Sequence, residues 1–384
     1  MSIERKYDIV VFGATGFTGQ LVAAYLAKQT NESFRWAIAG RNRSKLKQVK
    51  AKLGLDVELI TADSADEASL RALSGQTRVV LTTVGPYLKY GEPLVKACVE
   101  TSTDYVDITG ESEFVNDMIA KYDAPAREKG IRIINCCGFD SIPHDLGAYM
   151  MAKVLPTDQP ITLEGFVSAN ASMSGGTWHS ALGAIARIRE QAKKPKTPHQ
   201  ASEGNRVVRA AKMKVHRKKE INGWAVPFAS IDPQVVLRSA RALPVYGNDF
   251  RYGHYIRIGS LPMLVGGGIG LGVVVGLSQF NPTRNILLKW KQPGDGPSED
   301  VRAKSSFRVT FIAQVGDKQV IGEVSGGDPG YGETSKMISE SALCLALDRD
   351  KLPEEYGVIT TAVAMGDLLL ERLRRAGMVF EVRG

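Results

Sequence analysis

The segment Tyr7-Asp8-Ile9-Val10-Val11-Phe12 is a short β-rich apolar run that ends on Gly13, and glycine returns at positions 16 and 19 before a helix-forming stretch from Gln20 to Lys28. Strand, glycine turn and helix in that order leave little freedom to the fold. Gly13 permits the sharp turn, Gly16 lets backbone N–H groups approach a diphosphate, and Gly19 lets helix and strand pack closely, with the helix dipole offered to the anion. Thr15 and Phe17 fill the positions between and belong to the same expected cradle. Three glycines in a turn can be purely structural. The strand before and the helix after make GxxGxxG a dinucleotide signal.

The βα rhythm continues. Phe34 to Ala39 reads as a second strand, Val57 to Thr61 as a third, Arg78 to Val84 as a fourth, Tyr105 to Ile108 as a fifth and Ile131 to Cys136 as a sixth, with helices near 65–73, 91–102 and 111–129. Six such units predict an open, doubly wound parallel sheet of the Rossmann type, whose ligands sit beyond the carboxyl ends of the strands. No Asp or Glu lies between Glu32 and Asp56, where an NAD site places an acid for the ribose 2′-hydroxyl. Arg41, Arg43 and Lys45 stand there instead, and a guanidinium can fork onto a 2′-phosphate, so NADP(H) is favoured over NAD(H). Arg43 and Lys45 also read as a solvated first helical turn. Asp63, after the third strand, is a candidate partner for the adenine amino group or a helix cap. Thr83, Gly85 and Pro86, after the fourth, would line the nicotinamide ribose, with Tyr87 projecting toward the reacting ring.

A chain of 384 residues has room for two or three domains, and 43% hydrophobic with 23% charged residues at a mean hydropathy of −0.12 is globular, excluding both a polytopic membrane protein and a disordered one. Four cysteines without CxxC spacing predict neither a zinc site nor a disulfide framework, and no metal site is expected. The charged start Met1 to Lys6 is unlike a signal peptide, so a cytoplasmic protein is expected. The net charge of +8 is concentrated: Arg187 to Glu220 holds twelve Lys/Arg against three Asp/Glu. Such a patch is either a solvated face or a site for phosphates, an acidic carrier protein or an anionic membrane surface. Without aromatic residues to stack on bases, nucleic acid is not expected.

Beyond Pro156 the pattern changes. Ile161 to Ala169 alternates like a strand, Ser174-Gly175-Gly176-Thr177 reads as a turn opening a helix, and Ser306 to Val315 with Gln319 to Ser325 reads as a hairpin about Gly316-Asp317. Residues 292–297 read as a flexible connection, and Tyr331 to Leu347 and Thr361 to Ala376 as amphipathic helices. The expected organisation is a Rossmann domain over 1–150, a second α/β domain with a mixed sheet over 151–355, and a helix and strand over 356–384 returning to the N-terminal part. Between Arg257 and Arg284, twenty-six residues carry no charge, and Leu261 to Phe280 contains eleven large apolar residues and six glycines. Three readings of that run stand open: a buried element of the second domain, a monotopic lipid contact, or a span, which 20 helical residues would be long enough to make.

Taken together, GATGFTGQ from Gly13, AGRNRSKL from Ala39, VVLTTVGPYLKYGEPLVKACVETSTDYVDITGE from Val79 and CCGFDSIPHDLGA from Cys136 resemble the saccharopine dehydrogenase-like oxidoreductases, and within them the trans-acting enoyl reductase branch. The resemblance is continuous over about 5–155 and returns at Thr360 to Asp367. It implies NADP binding through Gly13, Gly16, Gly19 and Arg41, and hydride transfer onto a lipid or polyketide acyl chain. No catalytic residue carries over with it. His144 and Trp178-His179 depart from its expected pattern. Reducing an activated C=C needs a donor for the developing enolate oxygen and a proton for the α-carbon. Tyr87 is the first candidate, and Asp140 and His144, in the loop after the sixth strand, are the next, although a wall aromatic, a helix cap and a satisfied histidine are ordinary alternatives. A saccharopine-type amino-acid oxidoreductase and a non-catalytic NADP-binding membrane-surface protein are the competing functions, with peripheral membrane attachment and homo-oligomer formation open.

Overall fold

The computed structural model describes residues 5–170, 206–278, 283 and 296–383. Ser174 to Thr177, Trp178-His179, the 187–205 part of the basic segment and the 292–295 part of the expected connection lie outside the described residues.

The chain divides into two compact units, residues 1–146 with 331–378, and 147–330 with 379–384. The first is built on a seven-stranded sheet. Six of its strands come from the N-terminal run: β1 Tyr7–Phe12, β2 Trp36–Gly40, β3 Glu58–Thr61, β4 Thr77–Thr82, β5 Asp104–Asp107 and β6 Arg132–Ile134. Every pairing is parallel and the order is β3-β2-β1-β4-β5-β6, the doubly wound arrangement. Ile9, Val10, Val11, Val79, Val80 and Leu81 are buried completely, as a parallel sheet covered on both faces requires. The connecting helices are α1 Phe17–Ala27, α2 Arg43–Leu53, α3 Glu67–Ser74, the short α4 Tyr87–Tyr90, α5 Glu92–Thr101 and α6 Ser112–Lys129. A further helix, α7 Ile142–Ala152, leads from the first unit into the second.

The seventh strand, Gly357–Ile359, pairs with β6. It lies outside the six-strand expectation, because three residues are too few to show a period. Helix Gly332–Leu347, expected in the second domain, belongs to the first unit: the Tyr25 hydroxyl donates to Glu340 at 2.7 Å, and Arg372 bridges Glu32, Glu340 and Asp348 at 2.8, 3.1 and 2.7 Å. The amphipathic stretch 361–376 forms two helices, Thr361–Ala364 and Gly366–Arg375, divided where Gly366 adopts φ 45°.

The second unit carries a mixed sheet of eight strands. Its continuous path runs Val379–Arg383, Lys318–Gly326, Ser306–Val315, Ile161–Asn170, Asp249–Ile258, Gly223–Pro227, His216–Lys218, with Val207–Ala210 also on Asp249–Ile258. Asp249–Ile258 runs parallel to Ile161–Asn170, and the hairpin pairs Val315 with Lys318 across Gly316-Asp317, with Gly316 at φ 56°. Val379–Arg383, expected against the N-terminal part, pairs with Lys318–Gly326 instead. Phe166 stacks on Tyr255 at 5.2 Å in this unit's core.

Leu261–Ser278 is one helix. Its burial as a core element is not what the structure shows: Leu261, Met263, Val265 and Leu277 are all exposed. Among the described residues no helix is long and apolar enough to cross a membrane.

Candidate active site

The carboxyl ends of β1, β2, β4, β5 and β6 bring most of the expected site residues to one edge of the first unit's sheet. Gly13 leaves β1 at φ 92°, its N–H donating to Ala39 O at 3.0 Å. A Cβ on Gly13 would stand 2.7 Å from Val84 Cγ2, and one on Gly19 would stand 2.2 Å from Gly13 O. Both glycines are therefore set by close packing. Gly16, which has no side chain to cap with, is the N-cap of α1. The first-turn N–H groups of a helix are where an anion is ordinarily held, and a glycine turn leading into one fits a diphosphate. Phe17 packs edge-on against Tyr331 at 4.7 Å, while Thr15 lies 3.8 Å from where a Cβ on Gly40 would be, joining the turn to the end of β2.

The three cations after β2 separate. Arg41 is exposed directly beyond Gly40, the position a 2′-phosphate reader needs. Arg43 instead donates to Leu59 O at 3.2 Å, tying α2 to β3, and Lys45 contributes its backbone N–H to the Asn42 cap at 2.9 Å. Asp63 accepts from Ala65 N at 3.0 Å in a local turn, while Asp66 provides the N-cap of α3. Asp63 is partly exposed at the end of β3.

After β4, Thr83 N–H donates to Phe12 O at 3.0 Å, and Gly85 and Pro86, joined by a cis peptide, are exposed at the mouth. The expectation that Tyr87 projects toward the reacting ring fails. Its side chain turns inward, 6% exposed, against Phe114, donating its hydroxyl to Thr82 O at 3.2 Å and accepting from Ile108 N at 3.3 Å. Burial pushes that phenol well above its ordinary pKa, which suits a neutral wall residue. What positions the loop is Glu111, whose carboxylate accepts from Tyr87 N and Leu88 N, both at 3.0 Å.

Asp107, at the end of β5, was not singled out from the sequence. Fully buried, it accepts from Tyr105 Oη (2.9 Å), Asn135 Nδ2 (2.7 Å), Thr109 N (3.0 Å) and Cys136 N (3.0 Å), locking the ends of β5 and β6 together. Burial raises it to about 6 against four donors that pull the other way. An acid closing the apolar run Tyr105-Val106 was the available signal, because buried carboxylates are rare unless they hold something. In the following loop Asp140 is partly exposed, its carboxylate 3.1 Å from where a Cβ on Gly110 would lie, and Phe139 N donates to Thr334 Oγ1 at 3.1 Å. His144 is 1% exposed, edge-on to Phe139 at 6.0 Å, and burial lowers it to about 3, so the imidazole is neutral at physiological pH. It is no surface histidine, and it holds no imidazolium proton to give.

Residues 9–134 match the family described as saccharopine dehydrogenase NADP binding domain. A protein of Mycobacterium tuberculosis that provisionally bears the name trans-acting enoyl reductase is 36% identical over 97% of both chains. Trans-acting enoyl reductases of Mycobacterium ulcerans and Mycobacterium bovis are 34% and 35% identical, over 98% of this chain and 98% and 97% of theirs. Among solved structures, a saccharopine dehydrogenase (L-Glu forming) from Saccharomyces cerevisiae covers 98% of this chain with a TM-score of 0.58 at 13% identity, a likeness of fold.

Proposed function

The chain belongs to the trans-acting enoyl reductase family and is an NADP(H)-dependent oxidoreductase, and from that premise we propose that it reduces the C=C bond of an α,β-unsaturated lipid or polyketide intermediate. The observation that carries the reading is 34–36% identity to trans-acting enoyl reductases over nearly the whole chain, joined to a glycine turn that leads β1 into the N-terminus of α1. NADPH, when bound, supplies the hydride.

The chain's own residues do the rest. Gly13, Gly16 and the first N–H groups of α1 hold the diphosphate, with Thr15 and Phe17 shaping the turn and Gly19 keeping the helix against it. Arg41 takes the 2′-phosphate, Arg43 braces α2, and Asp63 meets the adenine. Thr83, Gly85 and Pro86 line the ribose, in a loop held by Glu111 and backed by Tyr87. Asp140 is the group we assign to proton delivery at the α-carbon; His144, neutral, supports that loop through Phe139. An acidic carrier protein or an anionic membrane surface is the partner this reading gives the acyl chain.

NADPH oxidation with enoyl thioesters, set beside 2-oxo acid plus amine, tests the reading. Turnover of the thioester alone is expected. Turnover of the oxo acid pair would make the chain an amino-acid oxidoreductase, and tight NADPH binding with neither would make it a non-catalytic NADP-binding protein. Asp140→Asn should lower kcat by roughly 10²–10⁴-fold with NADPH affinity unchanged.

A further inference from the structure

Two features of the second unit arise at the same end of its sheet. The first is the helix Leu261–Ser278, 18 residues without a charged side chain. A helix apolar on every face normally lies inside a core. Here Leu261 is 53% exposed, Met263 64%, Val265 54% and Leu277 39%. At 100° per residue these four do not share one face, so a partner groove or a second copy covering a single stripe would leave some of them in water. Hydrocarbon covers all sides at once.

The second feature is the basic hairpin formed by His216–Lys218 and Gly223–Pro227. Arg217 pairs across to Trp224, and Trp224 pairs across to Ile258, three residues before the helix begins. The Arg257 guanidinium donates to Asn222 O at 3.0 Å and to Ile221 O, fastening the hairpin turn to the strand that feeds the helix. Arg217, Lys218, Lys219, Asn222 and Gly223 line a concavity of about 280 Å³. Lys218 is engaged by Glu164, and Glu220 accepts from Gln319 at 3.3 Å, which leaves Arg217 and Lys219 as the exposed cations of the turn. Upstream, exposed Lys212 and Lys214 alternate with exposed Met213 and Val215.

We propose that this end of the second unit docks on an anionic membrane, the helix entering the hydrocarbon from one side while Arg217 and Lys219 meet lipid phosphates. At 1.5 Å per residue the helix is roughly 27 Å long, enough to bury its apolar side chains at the interface and below it. In the sequence the uncharged run is bounded by Arg257 before it and Arg284 after it. The inference is independent of the enoyl reading, because vesicle binding and turnover are measured separately.

The test is flotation of the full chain at low salt with vesicles of phosphatidylcholine plus phosphatidylglycerol, against phosphatidylcholine alone. Co-flotation with the anionic vesicles is expected. The double variant Met263→Asp/Val265→Asp should lose at least tenfold in partitioning, and Arg217→Glu/Lys219→Glu roughly fivefold per cation together with most of the salt dependence. Far-UV circular dichroism and the urea unfolding midpoint, measured in parallel, should stay at the wild-type values in both variants and so report that they fold. Absence of flotation would overturn the proposal, as would undiminished flotation of the Asp variant. Concentration-dependent self-association abolished by the Asp substitutions, without vesicle binding, would overturn it in favour of a homo-oligomer interface.

Discussion

Gly19→Ala tests the glycine turn through atoms that cannot yield. The added Cβ would stand 2.2 Å from Gly13 O, 2.8 Å from Gly13 C and 2.8 Å from Ala14 Cα, all of them backbone. In an open helix the same change would stabilise by about 1 kcal/mol. Here α1 must instead retreat by roughly 1 Å, and overpacking of that size costs about 1–3 kcal/mol beyond the lost gain. The same retreat withdraws the first-turn N–H groups from the diphosphate, so NADPH affinity should fall at least tenfold, about 1.4 kcal/mol. Urea unfolding of the ligand-free protein reads the first effect and calorimetric titration the second. Gly16→Ala is the control: its Cβ meets only Gly13 O, at 3.3 Å, so unfolding should shift by a few tenths of a kcal/mol while NADPH binding still weakens. A Gly19→Ala protein as stable as the wild type, with unchanged NADPH affinity, would refute the packing argument.

Three further outcomes follow from single side chains. Arg41→Ala should weaken NADPH by roughly 1–3 kcal/mol and NADH by little, whereas Arg43→Ala, already committed to Leu59 O, should leave the preference nearly intact; equal losses for both nucleotides with Arg41→Ala would retire the 2′-phosphate assignment. Asp107 is raised from 3.8 to about 6 in the folded chain, so the native state holds an extra proton between those values: its favourable contribution is complete below pH 3.8 and is lost as pH rises through 6, on the order of 3 kcal/mol. Urea midpoints from pH 4 to 7 should show that fall in the wild type relative to Asp107→Asn, and parallel profiles would sink the assignment. Arg372→Met leaves Glu32, Glu340 and Asp348 around a missing cation and should cost about 3–5 kcal/mol in unfolding free energy; a loss below 1 kcal/mol would mean that water reaches those carboxylates.

The doubly wound sheet was legible because each of its first strands carries its own signal: an apolar run, a turn, then a helix that crosses back over one face of the sheet. Gly13, Gly16 and Gly19 were legible for the same local reason. Long-range partners were not. Gly357–Ile359 becomes a strand only because β6 offers an edge more than two hundred residues earlier in the chain. Helix Gly332–Leu347 looks like any amphipathic helix until Tyr25 and Arg372 engage Glu340. At the site, sequence placed Tyr87 at the correct strand end but could not supply its rotation, which is decided by Phe114 from α6 and the carbonyl of Thr82. Arg43 is likewise claimed by Leu59 across β3, a partner its own helix does not disclose. Asp107 shows the reverse case, a single acid whose meaning lies in Asn135 and Cys136 on the neighbouring strand's exit.

The central claim is hydride transfer to an enoyl acyl chain, and NADPH deuterated at C4 of the nicotinamide tests it most directly. Incubation with an α,β-unsaturated thioester, using the two C4 epimers in turn, should give a saturated product carrying deuterium at the β-carbon from one epimer and none from the other. A saturated product free of deuterium from both, or a cofactor that binds and is never oxidised by the thioester, would contradict the account.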